Sequence, residues 1–351
     1  MRILFVQTGI PCCLVDCWKT LLRQEDVELR VVIMCVDADS NIDAKKALQG
    51  LDCVLFPPAA FDRCDAAEIR RRISAALPDT FRPDVVFATG WHSKAVRAVV
   101  TDEALTATPK VCCLDMPWRW KFRCIAARFV LRPFLRHYDA VYVPGRLAAI
   151  YAKWLGFRRI FKGLLSIDIA KFSNAGGINE RRGFLYVGRF APEKRLDLLC
   201  RAYERYRELG GNWHLDLYGA GDAIPRSSTS APYLSFHPFV QPDGLPQIYR
   251  SHACLLLASE RDAWPLVVLE ARASGCEAIV SDRCGNGAEL GARQVPFGDV
   301  EAMAREMLKV EREWTEGGRR PSAGLANSFA KEYDCEAWAR RTMEIARCLG
   351  V

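Results

Sequence analysis

The chain has 351 residues and 50% hydrophobic content, enough to form two globular domains with separate cores. Its 49 basic and 42 acidic residues give a net charge of +7, which is compatible with phosphate ligands or an anionic membrane but diagnostic of neither. The amino-terminal "MRILFVQTG" has too short an apolar run for a signal peptide or a membrane span, so we expect a cytoplasmic protein.

The first part of the chain alternates short β-rich runs with longer amphipathic ones. Such nearly continuous apolar runs are typical of a parallel sheet that is covered on both faces. We predict a Rossmann-like α/β domain over residues 1–172, completed by a C-terminal helix over 333–351. The predicted strands are "RILFVQ", "LRVVIMCV", "DCVLF", "DVVFATG", "KVCCL" and "DAVYVPG".

A polar, glycine-bearing stretch, "SNAGGINERRG", follows and has the composition of a linker. The alternation then restarts, which predicts a second Rossmann-like domain over 173–332. Two doubly wound domains would face each other across a central cleft, with ligands beyond the carboxyl ends of the strands. The strands predicted here are "FLYVGRF", "WHLDLYGAG", "YLSFHPFV", "ACLLLAS" and "EAIVSD".

The 15 cysteines and 5 histidines do not form a recognisable metal motif. No C-x-x-C occurs, and the histidines are scattered along the chain, so we expect no zinc site. Without an export signal, the cysteines are expected to be reduced core residues.

Two cations follow the first strand of the second domain. Arg189 comes directly after "FLYVG", and Lys194 precedes the amphipathic run "RLDLLCRAYERY". Next to a helix amino terminus they would suit a diphosphate, although a pair of solvated surface cations is the open alternative. "LYGAGD" fails as a dinucleotide fingerprint, because Ile224 and Pro225 stand where a third glycine and a helix would be needed.

The stretch "SERDAWPLVVLEA" carries two acids, Asp262 and Glu270, eight positions apart. Asp262 falls in the loop after a buried strand, whereas Glu270 lies one turn into the following helix, past Leu266. We expect Glu270 to accept ribose hydroxyls and Asp262 to reach a second sugar. The alternative is that Glu270 is an exposed helix residue and Asp262 a helix cap.

Taken in order, these motifs resemble the retaining glycosyltransferases of family 4, which have the GT-B fold. The resemblance covers most of 184–290 and includes the Gly-rich "IVSDRCGNGAEL". It implies that Arg189 and Lys194, after Gly188, bind the donor diphosphate, that Glu270 binds ribose and that Asp262 binds the transferred sugar. It also implies base recognition near Phe239 and Val240, and places Leu266 and Val267 at the donor.

Two departures from the family pattern fall on the donor sugar. The family usually has glutamate where Asp262 stands, and Glu260 is the rival, ten positions before Glu270. Pro265 stands where the family often has glycine, and proline removes an N–H group that could have bound the sugar. These departures favour one alternative, a non-catalytic nucleotide-sugar-binding protein. A nucleotide-sugar epimerase or hydrolase of GT-B architecture is the other, because it would also hold the diphosphate.

The first domain offers acceptor-side candidates. His92, with Trp91, ends the strand "DVVFATG", and the resemblance makes His92 a candidate for contact with the donor sugar; a structural histidine is the alternative. Asp115 would bind an acceptor hydroxyl or act as a base, or else is a turn residue before Pro117.

The segment 117–139 mixes six basic residues with aromatic and aliphatic ones and, from Trp118 to His137, has no acid. This mixture is typical of helices that lie in a membrane interface, and a core helix with solvated arginines is the alternative. Nucleic acid is not expected, since no recognisable module for it is present.

The resulting prediction is a metal-independent, hexosyltransferase-type enzyme without a cofactor. It would transfer a sugar, with retention, from a UDP- or GDP-linked donor to a glycan or lipid-linked acceptor at the inner face of the membrane. The expected setting is cell-surface polysaccharide or glycolipid assembly.

Overall fold

The computed structural model describes residues 1–10, 12–34, 44–57, 59–116, 122–173, 181–225, 233–316, 328–329 and 331–351. The chain divides into two compact units. Unit 1 comprises Met1–Ile167 and Tyr333–Val351, and unit 2 comprises Asp168–Glu332. The sequence-based division put the boundary five residues later, after position 172, inside a short helix that belongs to unit 2.

Unit 1 is built on a seven-stranded parallel sheet in the order β3-β2-β1-β4-β5-β6-β7. All six strands predicted from the sequence are present. The seventh, β7, escaped prediction because its three residues are half-buried or exposed and form no continuous apolar run. The strands are β1 Arg2–Gln7, β2 Glu28–Ile33, β3 Cys53–Leu55, β4 Val85–Thr89, β5 Lys110–Cys113, β6 Ala140–Val143 and β7 Ile160–Lys162.

Helices cover both faces of this sheet. Along β1, Leu4 and Val6 enter one hydrophobic core, whereas Ile3 and Phe5 enter the other, which is why the strand is apolar at every position. The helices are α1 Cys12–Leu21, α2 Ala44–Ala47, α3 Ala66–Ala76, α4 Lys94–Val100, α5 Phe122–Val130, α6 Arg132–Leu135, α7 Arg146–Leu155 and, at the C-terminus, α13 Cys335–Cys348.

The C-terminal helix α13 completes unit 1, as predicted. Its fully buried Trp338 lies 5.7 Å from the ring of Phe5 and donates Nε1–H to the carbonyl of Leu164 at 2.8 Å. A buried indole nitrogen needs such an acceptor, so this hydrogen bond fixes the helix in register.

Unit 2 contains a six-stranded parallel sheet in the order β10-β9-β8-β11-β12-β13. The five predicted strands are present, and the short, polar β13 was missed. Its strands are β8 Phe184–Val187, β9 Leu215–Tyr218, β10 Leu234–His237, β11 Cys254–Leu257, β12 Glu277–Ser281 and β13 Arg293–Val295. Its helices are α8 Ile169–Ser173, α9 Leu196–Glu208, α10 Leu245–Ser251, α11 Leu266–Ala273 and α12 Val300–Thr315.

The cysteines in the described ranges form no disulfide, and most of them are buried. Within those ranges, every helix is too short or too polar to cross a bilayer.

Candidate functional site

The carboxyl ends of the unit 2 strands meet at one edge of the sheet, where the predicted donor residues lie. Strands β8 and β11 are neighbours, so the loops that follow them run side by side. The amide of Glu260 donates to the carbonyl of Glu193 at 2.9 Å and joins the two loops directly. This pairing explains how Lys194 and Asp262, which are 68 residues apart in sequence, belong to one site.

Lys194 and Asp262 form an ion pair between these loops. Both side chains are mostly buried, with 17% and 14% of their surface exposed. The main chain of Asp262 is also fixed, because its carbonyl accepts the amide of Gly285 at 2.9 Å. A cation and a carboxylate held in this way at a strand edge provide one group for an anionic ligand and one for a hydroxyl.

Arg189 is placed differently. Its guanidinium is 77% exposed and pairs at 3.0 Å with Glu193, four residues later in the chain. Its carbonyl accepts the hydroxyl of Tyr186 at 2.8 Å, which fixes the backbone but not the side chain. The structure therefore brings Lys194 to Asp262 and leaves Arg189 at the surface.

The "YGAG" turn is explained by the close approach of two loops. A Cβ on Gly219 would lie 2.0 Å from the carbonyl oxygen of Gly188, and a Cβ on Gly221 would lie 2.3 Å from that of Phe190. The amide of Phe190 donates to the carbonyl of Ala220 at 2.7 Å across the same contact. Gly219 and Gly221 are therefore explained by the close packing of the two loops and not by a dinucleotide fingerprint.

Helix α11 begins beside Asp262. Asn286 is fully buried and donates its side-chain amide to the carbonyl of Pro265 at 2.8 Å, so the Gly-rich loop after β12 holds the helix start. No side chain caps this helix, and Asp262 is therefore not a cap. Leu266 and Val267 remain partly exposed, whereas the next two residues are buried.

Glu270 lies on the partly exposed side of α11 and is not a free surface residue. The hydroxyl of Tyr249 donates to its Oε2 at 2.7 Å. Burial raises the pKa of Glu270 to about 7, against the lowering effect of that hydrogen bond. A carboxylate held this way is suited to accept hydroxyl groups, and its charge is sensitive to pH near neutrality.

The segment predicted to contact the base follows β10, at the far end of the same edge. Phe239 is 37% exposed, and Val240 packs on the turn that follows, where a Cβ on Gly244 would lie 2.8 Å from its Cγ1. The carbonyl of His237 accepts the amide of Gly219 at 3.2 Å, which ties this segment to the glycine turn.

In unit 1, the three predicted acceptor-side residues line one pocket of about 210 Å³. Trp91 is buried, and its ring lies 5.6 Å from that of the exposed His92. Asp115 lies on the same pocket wall at the end of β5. These residues meet because β4 and β5 are neighbouring parallel strands.

Sequence reasoning missed three polar residues. Gln7 lines the unit 1 pocket, is 3% exposed, and its Nε2 makes no hydrogen bond within the described part of the chain. The others are Tyr249 and Asn286, which support Glu270 and α11. Gln7 could have been recognised from the sequence as a polar residue at the end of a strand that is otherwise mostly apolar.

The basic segment 117–139 is described only from residue 122. Leu131, between α5 and α6, and Leu135 are buried, whereas Phe129 and Val130 are 69% and 73% exposed. Arg128 is 5.4 Å from the ring centre of Trp154 and donates to its carbonyl at 2.5 Å. The segment is therefore partly core and partly an exposed apolar surface beside arginines.

Residues 181–312, within unit 2, match the family described as "Glycosyl transferases group 1". Among solved structures, HepE from Anabaena in complex with UDP aligns over 100% of both chains, at 15% identity and a TM-score of 0.74. A glycosyltransferase from Rickettsia africae ESF-5 aligns over 99% of this chain and 98% of its own, at 10% identity and a TM-score of 0.77.

The lipopolysaccharide outer core galactosyltransferase WaaB aligns over 100% of both chains, at 16% identity and a TM-score of 0.71. Among curated proteins, none matches significantly. The likenesses confirm the predicted fold class, two Rossmann-like parallel-sheet domains of the GT-B kind. With the family match, they support a GT-B glycosyltransferase.

Proposed function

We propose that this protein is a retaining glycosyltransferase that moves a sugar from a nucleotide diphosphate sugar to an acceptor hydroxyl. The observation that carries the proposal is the Lys194–Asp262 ion pair beside the start of α11, inside the span that matches the glycosyl transferases group 1 family. HepE has been crystallised with UDP and with UDP-glucose, which favours UDP as the donor nucleotide here.

In this proposal, Lys194 binds the donor diphosphate and stabilises the charge that develops on it as the glycosidic bond breaks. Arg189 joins it by leaving Glu193, which costs little because an exposed ion pair is worth at most about 1 kcal/mol. The two cations would supply the charge that a metal ion supplies elsewhere, so donor cleavage is metal-independent.

Asp262 binds a hydroxyl of the transferred sugar. Its carboxylate is already beside Lys194, so one ligand that carries a diphosphate and a sugar can contact both groups. Glu270 accepts the ribose hydroxyls, and main-chain groups near Phe239 and Val240 contact the base. Leu266 and Val267, at the start of α11, pack on the donor.

The unit 1 pocket is the proposed acceptor site. Asp115 accepts a hydrogen bond from the acceptor hydroxyl or removes its proton, and Trp91 provides an apolar wall. His92 is proposed to contact the donor sugar during transfer. The unpartnered amide of Gln7 supplies a donor for an oxygen of a glycan.

We further propose a peripheral membrane location and a role in cell-surface polysaccharide or glycolipid assembly. The exposed Phe129 and Val130 support this, since two neighbouring apolar side chains next to arginines suit an anionic membrane interface. The acceptor would then be a lipid-linked glycan that grows at that surface.

A thermal-shift screen of UDP- and GDP-sugars tests the function. A ligand that binds only the folded state at 100 times its Kd stabilises it by about 2.7 kcal/mol, so one nucleotide series should raise the Tm. The best ligand is then incubated with and without glycan acceptors. Product formed only with acceptor supports transfer, whereas release of free sugar or of an epimer without acceptor supports the hydrolase or epimerase alternative.

A further inference from the structure

Three of the five histidines converge on one carboxylate in unit 2. His214 and His252 place their Nε2 atoms 3.2 Å and 3.0 Å from Oδ2 of Asp216, and Nε2 of His237 lies 2.9 Å from Oδ1. We call these four residues the histidine cluster. The histidines are scattered along the sequence, but three of them lie together in the folded chain.

The cluster forms because parallel strands align residues from distant segments. Asp216 lies on β9, between its neighbours β8 and β10. His237 ends β10, and His252 precedes β11, on the other side of β8. No local sequence spacing announces such a group, which is why motif reasoning did not find it.

The hydrogen bonds of His252 determine which of its ring nitrogens carries a proton. Its Nδ1 lies 2.8 Å from the carbonyl oxygen of Ile248, and a carbonyl oxygen can only accept. The hydroxyl of Ser251 donates to the same carbonyl at 2.8 Å. Nδ1 therefore carries the proton, and in the neutral ring Nε2 turns a lone pair toward Asp216.

The lone pair of Nε2 and the carboxylate oxygen of Asp216 are 3.0 Å apart and would repel each other without a positive charge. That charge is either a second proton, which makes His252 an imidazolium, or a metal ion that binds both atoms. A ring whose Nδ1–H is held by a backbone carbonyl while Nε2 faces outward has the arrangement found in histidine metal ligands. His252 is 4% exposed, so bulk water contributes little to satisfying this contact.

Two of the three donor–donor spacings match those around one metal ion. Bonds of about 2.0 Å in tetrahedral geometry separate neighbouring ligand atoms by roughly 3.3 Å, close to the observed 3.2 Å and 3.0 Å. All three donor atoms of His214, Asp216 and His252 lie within 4.8 Å of one another. Two imidazoles and a carboxylate suit zinc and similar transition-metal ions.

The surroundings of the cluster leave room for the ligands and for access. The His214 ring covers Gly183, where a Cβ would lie 2.4 Å from Cε1, so only a glycine permits this position. The side chain of His214 is 44% exposed and lines a cavity of about 550 Å³. The cluster is therefore accessible from solvent on the side of His214.

We propose that His214, Asp216 and His252 form a binding site for a zinc-type divalent metal ion. His237, on the second oxygen of Asp216, orients that carboxylate. The metal would join the start of β9 to the segment before β11. This proposal is independent of the metal-free donor chemistry proposed above, because Lys194 and Asp262 belong to other loops.

The test uses tag-free, EDTA-treated full-length protein titrated with Zn²⁺ by calorimetry. Wild type should bind one equivalent, and a hundredfold excess over Kd should raise the Tm by roughly 4 °C. His214→Gln/His252→Gln should bind at least about 10-fold more weakly. The matched control, His92→Gln/His137→Gln, removes two imidazoles outside the cluster and should bind like wild type.

A nearly isosteric second variant, Asp216→Asn, guards against misfolding and should also lose at least about 10-fold in affinity, with unchanged circular dichroism. Co²⁺ titration separates the cluster from the cysteines, because thiolate ligands add a strong near-ultraviolet band that imidazole and carboxylate do not. No binding by wild type, equal binding by both double variants, or a thiolate band would overturn the site. UDP binding, measured on the same samples, reports on the donor site separately.

Discussion

At the scale of single residues, the environment of Asp262 distinguishes it from its rival. Asp262 is mostly buried and pairs with Lys194, whereas Glu260 is exposed and contacts the neighbouring loop through its main-chain amide. A shorter side chain than the family's usual glutamate is thus compatible with a fixed position. The contact favours Asp262 as the sugar ligand.

Exchanging each acid for its amide tests this assignment. Asp262→Asn should lower turnover by roughly 10–150-fold, the loss expected for one charge-assisted hydrogen bond, while affinity for the free nucleotide stays nearly unchanged. Glu260→Gln is the matched control and should keep wild-type turnover. Full activity in Asp262→Asn together with inactivity in Glu260→Gln would reverse the assignment.

Glu270 gives a pH-dependent prediction. Its pKa of about 7 in the folded protein exceeds the ordinary value of 4.5, because burial disfavours the charge. Its contribution to stability is therefore present below pH 4.5 and is lost as pH rises toward and through 7, at a slope of at most about 1.4 kcal/mol per pH unit.

Urea unfolding of wild type and Glu270→Gln between pH 5 and pH 8 measures this effect, since their difference isolates one group. The free energy of unfolding of wild type should fall relative to the variant as pH rises through this range. Parallel pH profiles would show that Glu270 titrates normally. Glu270→Gln should also weaken nucleotide binding.

At the scale of elements, α5 combines structural and surface roles. Cys124 and the neighbouring Leu131 are buried, so the element is anchored in unit 1, while Phe129 and Val130 stay exposed. The buried part fits the core-helix interpretation, whereas the membrane-interface interpretation of the exposed part stays a prediction. Arg128 interacts with Trp154, and Arg132 and Arg136 are also exposed cations of this segment.

We expect wild-type protein to float with anionic vesicles at low salt and less so at high salt. Phe129→Ser/Val130→Ser should lose most of this binding, because each buried side chain of this size contributes about 1.5–3 kcal/mol. Ile150→Ser removes an exposed hydrophobic residue from α7 and serves as the control. Unchanged flotation of the double variant would make the exposed pair irrelevant to membranes.

At the scale of the whole molecule, the strands that consist of long apolar runs could be predicted from the sequence. Eleven of the thirteen strands follow from such runs, and the C-terminal segment predicted as a closing helix forms α13 in unit 1. β7 and β13 are short edge strands with polar or exposed residues, so burial leaves no pattern in them.

The candidate sites show the same limit. Residue types and loop positions predicted Lys194, Asp262 and Glu270, but not the Lys194–Asp262 contact, which depends on β8 and β11 being neighbours. Tyr249 and Asn286 act through hydrogen bonds that cross the fold, and the histidine cluster joins three segments. Such groups require the strand order, which local patterns do not contain.

Titration of UDP and GDP into wild type and Lys194→Ala tests the central claim most directly. One nucleoside diphosphate should bind, and Lys194→Ala should weaken it by roughly 10-fold or more, since a charge-assisted contact contributes about 1.5–3 kcal/mol. Arg189→Ala should weaken it less, because that guanidinium must first leave Glu193. Lys153→Ala, on the exposed face of α7, should bind like wild type. Failure of both nucleotides to bind, or equal affinity in wild type and Lys194→Ala, would contradict the proposed donor site.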